Sequence, residues 1–333
     1  MHDRQVLVST LFPSAAIFTE MTRAPYYHLM RSEHENLSTN GAAMLEAAGV
    51  CGGDADGERP VNIMELGAGD GTKTKTLLKA LQDTVGDDAA GAPPVTYVPI
   101  DISWGAMRAL YKVVADVTGG PRPVHVHGYI SDSFVALDAL KAAGWTHGSC
   151  DGANGLVPGA KKPHNVVIYL GSSIGNVLRT EMISFFAAIR ARLNVGDHLL
   201  LGYDLRRTPD AHLATYPADQ TLGALHNASL NRLRRELDAD IGTGALAVEV
   251  TFDENDGAVN GWLVSTCDHV LTIGRGARRR AFPMKAGHKL RVLLAHKYTL
   301  DGMAASAAEG GFEIQKTWTD ASGRFADSVF RAV

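Results

Sequence analysis

Residues 61–72 read Val-Asn-Ile-Met-Glu-Leu-Gly-Ala-Gly-Asp-Gly-Thr, an apolar run closing on three alternating glycines. A run of this length reads as a strand, and residues 72–81 carry the periodicity of a helix. The glycines must therefore turn the chain from strand to helix within a few residues. Glycine does this because it has no Cβ to collide with a tightly turned backbone or with a ligand lying close to it. A strand passing through such a turn directly into a helix opens a βαβ unit, and this commits the chain to an α/β core around a parallel sheet.

The following sequence repeats the alternation. Strands are expected at 61–66, 95–100, 124–127, 165–170 and 198–203, with helices at 72–81, 103–114, 132–143 and 179–193. The run Val166-Val-Ile-Tyr-Leu170 does not alternate, as expected of a strand buried on both faces. Stretches 86–94 and 148–162 are rich in Gly, Asp, Ala and Pro and read as surface insertions. After Asp204 the character changes. A helix is expected at 211–237, then longer strands at 245–252, 261–273, 289–298 and 312–318, with a helix at 300–309. Strands in succession after a βαβ array predict a second, more antiparallel module.

Composition narrows the function classes. The chain has 333 residues, 45% hydrophobic and 20% charged, with a formal net charge of -4. The basic excess usual in duplex-binding proteins is missing, so a small molecule is expected as partner, without nucleic acid or membrane. Cys51, Cys150 and Cys267 are widely separated and show neither CxxC spacing nor a metal-ligand pattern, so no metal is expected. The first residues lack an apolar signal region and no apolar run is long enough to span a bilayer, which predicts a cytoplasmic protein. A monomer is expected.

Glu65-Leu-Gly67-Ala-Gly69-Asp-Gly71 has the form ExGxGxG and resembles the fingerprint of class I, Rossmann-like methyltransferases. Asp101, at the end of the second strand, can accept hydrogen bonds from both hydroxyls of a ribose. The P-loop pattern GxxxxGK[ST] is not satisfied around Lys73, and the glycine spacing differs from that of nicotinamide dehydrogenases.

The segments ELGAGDGTKTKTLLKAL, YVPIDIS, IYLGSSIGN, LLLGYDLRR and RELDADI, the stretch PYYHLMRSE and the terminal WTD…GRF together resemble the histidine-specific methyltransferase family. That family makes the histidine betaine of the ergothioneine pathway, and fungal N-methyltransferases acting on tryptophan-derived compounds are similar to it. The resemblance implies S-adenosylmethionine as cofactor, S-adenosylhomocysteine as product, and an amino-acid-like acceptor. Carried over residue by residue, it implies cofactor contacts at Glu65, Gly67, Gly69, Gly71, Lys73 and Asp101, with Gly128 and Tyr129 beside the adenine. Gly171 is implied at both ligands. Tyr27, Ser173, Asn176 and Tyr216 are implied around the acceptor's head group, Asn176 and Tyr216 standing nearest the chemistry. Such groups orient an amine and a carboxylate by directed hydrogen bonds. His28, His34, His226 and His296 are weaker candidates for a base, since a lone histidine is more often structural.

Three departures bear on the acceptor. Where the family carries a glutamate and a serine in ExSxK, this chain has Leu293 and Ala295 before Lys297. A pocket methionine corresponds to Gly261, and a tyrosine of the amino-terminal part to Thr10. Losing an acid that would pair with a substrate N–H predicts an α-amino N-methyltransferase for a larger or less polar side chain than histidine, indole- or phenol-like. The alternatives are a histidine N-alpha-methyltransferase of ergothioneine biosynthesis, an O- or protein methyltransferase, and a degenerate non-catalytic binding module. The expected division is 1–55, a helical part of the substrate lobe; 56–204, the cofactor core; 205–300, a substrate-binding insertion; and 301–333, completing the core sheet.

Overall fold

The computed structural model describes residues 22–51, 59–84, 95–145, 162–219, 223–242 and 244–333, without the side chains of 224–226 and 229. Thr10, the expected insertions at 86–94 and 148–161, and the His226 side chain lie outside the described residues.

Among the described residues the elements run from helix α1 (Leu29–Ala47) to β1 (Val61–Leu66), α2 (Thr72–Thr84), β2 (Val95–Asp101) and α3 (Trp104–Thr118). Next come β3 (Val124–Val126), β4 (Tyr129–Ile130), α4 (Ser133–Ala142), β5 (His164–Tyr169), α5 (Met182–Arg190) and β6 (His198–Asp204). Helices α6 (Pro209–Leu213) and α7 (Gly223–Leu237) lead to strands β7 (Leu246–Asp253), β8 (Ala258–Ser265), β9 (His269–Ile273), β10 (Arg280–Met284) and β11 (Lys289–His296). The chain closes with α8 (Leu300–Glu309), β12 (Phe312–Thr319) and β13 (Phe325–Ala332). These elements fall into two compact units, one of residues 31–205 with 298–333, the other of residues up to Met30 with 206–297.

The first unit is a doubly wound α/β sandwich. Its sheet runs β12-β13-β6-β5-β1-β2-β3, with β4 also paired to β2. Strands β6 through β3 are parallel; β13 is antiparallel to both its neighbours, β6 and β12, so β12 runs in the same direction as β6. Strands β1 and β6 are buried at every position, which is why their sequences lack alternation. Ile63, Val166 and Leu200 face one apolar cluster with Leu37, Met44, Leu77 and Leu110 of α1, α2 and α3. Met64, Val167, Leu199 and Leu201 face the other, with Leu137, Phe186 and Met303 of α4, α5 and α8. Helix α1 thus packs on the sheet, and the division falls near residue 30 where the expected lobe ran to 55. Strand order reverses between β5 and β1, the place where open α/β sheets leave a crevice at the carboxyl ends of their strands.

The second unit contains the three-stranded antiparallel sheet β11-β8-β7 and the pair β10-β9. The strand expected at 261–273 is two strands, because the chain turns at 266–268, where Asp268 accepts the Ala286 N–H at 2.9 Å. The helix expected at 211–237 is likewise two, α6 and α7, separated by a stretch holding Pro217, which cannot donate an intrahelical bond. The helix expected from 179 begins as a 3-10 turn, Arg179–Glu181. Among the described residues no helix is long and apolar enough to cross a membrane.

Candidate functional site

The glycine turn lies at the carboxyl end of β1, and β2 holds it in place. Gly67 and Ala68 donate to the Ile100 carbonyl at 2.9 and 3.1 Å. Gly67, Gly69 and Gly71 have φ of 66, 60 and 77°, the left-handed region that a side chain disfavours. Their surroundings separate their roles. A Cβ on Gly67 or Gly69 would meet nothing within 4 Å, whereas one on Gly71 would sit 2.8 Å from Leu110 Cγ. Gly71 therefore lets α3 pack against the turn, and Gly67 and Gly69 leave open space for a ligand.

Asp101 joins the turn to the end of β2. Its Oδ2 accepts the Gly69 N–H at 2.9 Å and its Oδ1 the Ser103 N–H at 2.7 Å, and the residue stays partly exposed. Ser103 also caps α3 by accepting the Ala106 N–H at 3.2 Å. Glu65 is placed differently. Its carboxyl is buried beneath the turn and accepts hydrogen bonds from Thr74 Oγ1 at 2.5 Å and from the Tyr97 hydroxyl. Burial raises its pKa to about 7, against the lowering effect of those two bonds and of Lys73. Glu65 is thus placed to brace the turn through Thr74 and Tyr97.

Gly128 and Tyr129 stand beside β2, with Tyr129 opposite Ile100. The Gly128 N–H donates to Tyr111 Oη at 2.9 Å, and a Cβ here would strike Met107 Cε. At the end of β5, Gly171 has φ of 80° and Ser172 of 54°. This loop is tied down by Ser173 Oγ to the Leu170 carbonyl at 3.0 Å, by the Asp204 N–H to Ser172 Oγ at 3.1 Å and by the Tyr298 hydroxyl to the Ile174 carbonyl at 2.8 Å. Asn176 ends the 3-10 turn Ser173–Asn176 with its residue exposed. Lys73, at the start of α2, pairs with Glu33 at 2.8 Å. The crevice thus gathers Gly67, Gly69, Lys73 and Asp101 with the loop carrying Gly171, Ser173 and Asn176.

In the second unit the Tyr27 ring meets the Tyr216 ring edge-on at 5.9 Å and 88°. Buried Lys297 donates to Tyr216 Oη at 3.0 Å and lies 4.8 Å from that ring's centre. Leu293 stands directly opposite Gly261, which is opposite Val250; Ala295 is opposite Val259, itself opposite Phe252. Paired residues share a sheet face, so this face is apolar and carries no acid at these six positions. His28 lies against Arg207 and Thr215, His296 against Asp256 at 2.9 Å, and exposed His34 against Thr76. Glu33, Ser172 and Lys297 were not nominated from sequence; Glu33 and Lys297 lie inside PYYHLMRSE and the ExSxK-like stretch, the only signal that pointed to them.

The pattern of the family described as "Histidine-specific methyltransferase, SAM-dependent" matches residues 14–332. The chain belongs to that family. This methyltransferase is an enzyme that uses S-adenosylmethionine, built on the class I Rossmann-like fold. It is 26% identical over 315 residues to a histidine N-alpha-methyltransferase of Mycolicibacterium smegmatis (strain ATCC 700084 / mc(2)155), covering 94% of this chain and 85% of the relative. It is 25% identical over 265 residues to ergothioneine biosynthesis protein 1 of Neurospora crassa, covering 77% of this chain and 26% of that protein. A solved structure of magnesium protoporphyrin IX methyltransferase from Synechocystis PCC 6803 with bound SAH is 11% identical with a TM-score of 0.44, covering 99% of this chain and 100% of that one.

Proposed function

We propose that this methyltransferase methylates the α-amino nitrogen of a free amino acid, with histidine as the first acceptor to test. The reading is carried by a family match running from residue 14 to 332 in a chain whose glycine turn and strand-end acid are both intact. The names of the relatives favour histidine over other acceptors. The open space at Gly67 and Gly69 and the half-exposed Asp101 fit the cofactor. Asp101 would hold the ribose, Lys73 and the glycine turn the methionine end, and Gly128 and Tyr129 the adenine side. When bound, the cofactor supplies an electrophilic methyl group on a sulfonium.

The protein's own residues have mainly to orient. In the sheet unit, Gly171, Ser173 and Asn176 offer a carbonyl, a hydroxyl and an amide toward the acceptor's head group. In the second unit, Tyr27 and Tyr216 offer phenols suited to an amino-acid head group, and Lys297 fixes the Tyr216 oxygen by donating to it. The leaving group is good, so alignment supplies most of the acceleration, and the proton that the acceptor's ammonium must lose before its nitrogen attacks would pass to water.

A specific observation favours a second reading. The six paired positions around Leu293, Ala295 and Gly261 carry no acid for an imidazole, which suits an indole- or phenol-like side chain better. Mass spectrometry of reactions with S-adenosylmethionine and a mixture of amino acids tests both. An α-N-methylated histidine as main product supports the first reading and a methylated aromatic amino acid the second. Methylation of neither, with only protein or hydroxyl acceptors modified, would discard both.

A further inference from the structure

Glu33 of α1 is fully buried, yet its carboxylate reaches the crevice residues from beneath. Its Oε1 and Oε2 accept the Gly171 N–H at 2.7 and 3.0 Å, and Oε2 also takes Lys73 Nζ at 2.8 Å. The sheet makes room for it. A Cβ on Gly202 of β6 would run into Glu33 Oε1 and lie 2.9 Å from Asp327 Oδ1. Asp327 is the second buried carboxyl there, with Oδ2 accepting from Asn36 Nδ2 at 2.7 Å and Oδ1 without a hydrogen-bond partner among the described residues. Burial and the neighbouring Glu33 push the Asp327 carboxyl well above the usual carboxylate range. Lys73 makes its ion pair with Glu33.

The asymmetry of the ion pair shows which partner faces outward. Lys73 keeps 17% of its side chain exposed and Glu33 none. A buried pair adds little net stability compared with apolar residues of the same size, so stability alone is a weak reason for this one. Its effect on geometry is larger. It joins the helix that follows β1 to the loop that follows β5, across the point where strand order reverses. It also fixes Gly171 so closely that a Cβ there would lie 2.7 Å from Lys73 Nζ.

We infer that Glu33 is a positioning residue for the cofactor's amino-acid end, holding the Lys73 ammonium and the Gly171 backbone where a zwitterionic tail is bound. Lys73 would meet the carboxylate of that tail. Gly171, its N–H held by both Glu33 oxygens, would keep the backbone after β5 in place beside that tail. The inference rests on the cofactor seat proposed above.

Calorimetric titration with S-adenosylhomocysteine tests it, using wild type, Glu33→Gln, Lys73→Met, the double variant and Asp101→Ala. Glu33→Gln keeps an acceptor for Gly171 but not the charge. It is expected to weaken binding on the order of tenfold, and the double variant to bind no more than about twofold worse than Lys73→Met, since coupled residues are not additive. Wild-type affinity in Glu33→Gln, or losses that multiply in the double variant, would overturn the inference. Where Glu33→Gln does not fold, Glu33→Asp replaces it, keeping the charge one methylene short; it must lose affinity with an unchanged melting temperature. If Asp101→Ala binds as well as wild type, the seat itself is wrong and the inference goes with it. Loss in Asp101→Ala without loss at Glu33 removes only the inference.

Discussion

At the scale of single residues, neighbours decide what a glycine or a tyrosine is for. Gly69 and Gly71 share a left-handed φ, so an alanine at either is strained by about 1–2 kcal/mol. Gly71→Ala also presses a Cβ against Leu110, adding an overpacking cost of about 1–3 kcal/mol. Gly71→Ala should therefore lower the melting temperature more than Gly69→Ala. Gly69→Ala, whose Cβ enters the open side of the turn, should give the larger loss of S-adenosylhomocysteine affinity for its loss of stability. The reverse order in paired melting and titration measurements would contradict the assignment. Tyr216→Phe removes a hydrogen-bond acceptor from buried Lys297 in the second unit and should destabilise by about 1–3 kcal/mol. Steady-state kinetics should show KM rising for the amino acid and not for S-adenosylmethionine; equal rises would argue against a head-group role.

At the scale of elements, the parallel half of the sheet was legible because burial on both faces writes itself as an uninterrupted apolar run, as in β5. Strand β13 escaped notice for the opposite reason. Asp327 and Ser328 are buried within it, Asp327 accepting from Asn36 through one oxygen and Ser328 bonded to Tyr203 and Thr317, and without those partners Phe-Ala-Asp-Ser-Val reads as a loop. Strand β10 is short, exposed over most of its length and contains Pro283. Glu33 was equally hidden, since its partners Lys73 and Gly171 are distant in sequence and nothing on its own helix announces them. The glycine turn and Asp101, by contrast, were visible because one βαβ unit contains both. The β8–β11 register gives the element-scale prediction. Leu293 is only partly buried and faces Gly261, so Leu293→Glu has room for a carboxylate on the acid-free face. If that face selects the side chain, Leu293→Glu should raise kcat/KM for histidine relative to tryptophan by about tenfold or more. An unchanged ratio would mean that side-chain selection lies elsewhere.

At the scale of the whole molecule, two buried groups of the sheet unit set opposite pH dependences on folding. Burial raises Glu65 from 4.5 to about 7, against Thr74, Tyr97 and Lys73 and with Glu33. The native state then holds a proton that the unfolded chain has released, so this group's stabilising contribution is complete below 4.5 and is lost as pH rises through 7. Burial lowers His198 from 6.5 to about 4, helped by His164 and Arg331. Its contribution is complete above 6.5 and is lost as pH falls through 4. Between about 4.5 and 6.5 the two slopes oppose one another and flatten the profile. Glu65→Gln removes the falling slope, so its stability relative to wild type should improve from pH 5 to pH 8, by a span on the order of 3 kcal/mol. His198→Asn removes the rising slope, so its relative stability should worsen over pH 4 to 6.5. Denaturant melts of the three proteins across this range decide the matter. Parallel curves for Glu65→Gln and wild type would mean that Glu65 is ionised in the folded protein despite its burial, with the turn braced by an anion instead of a shared proton.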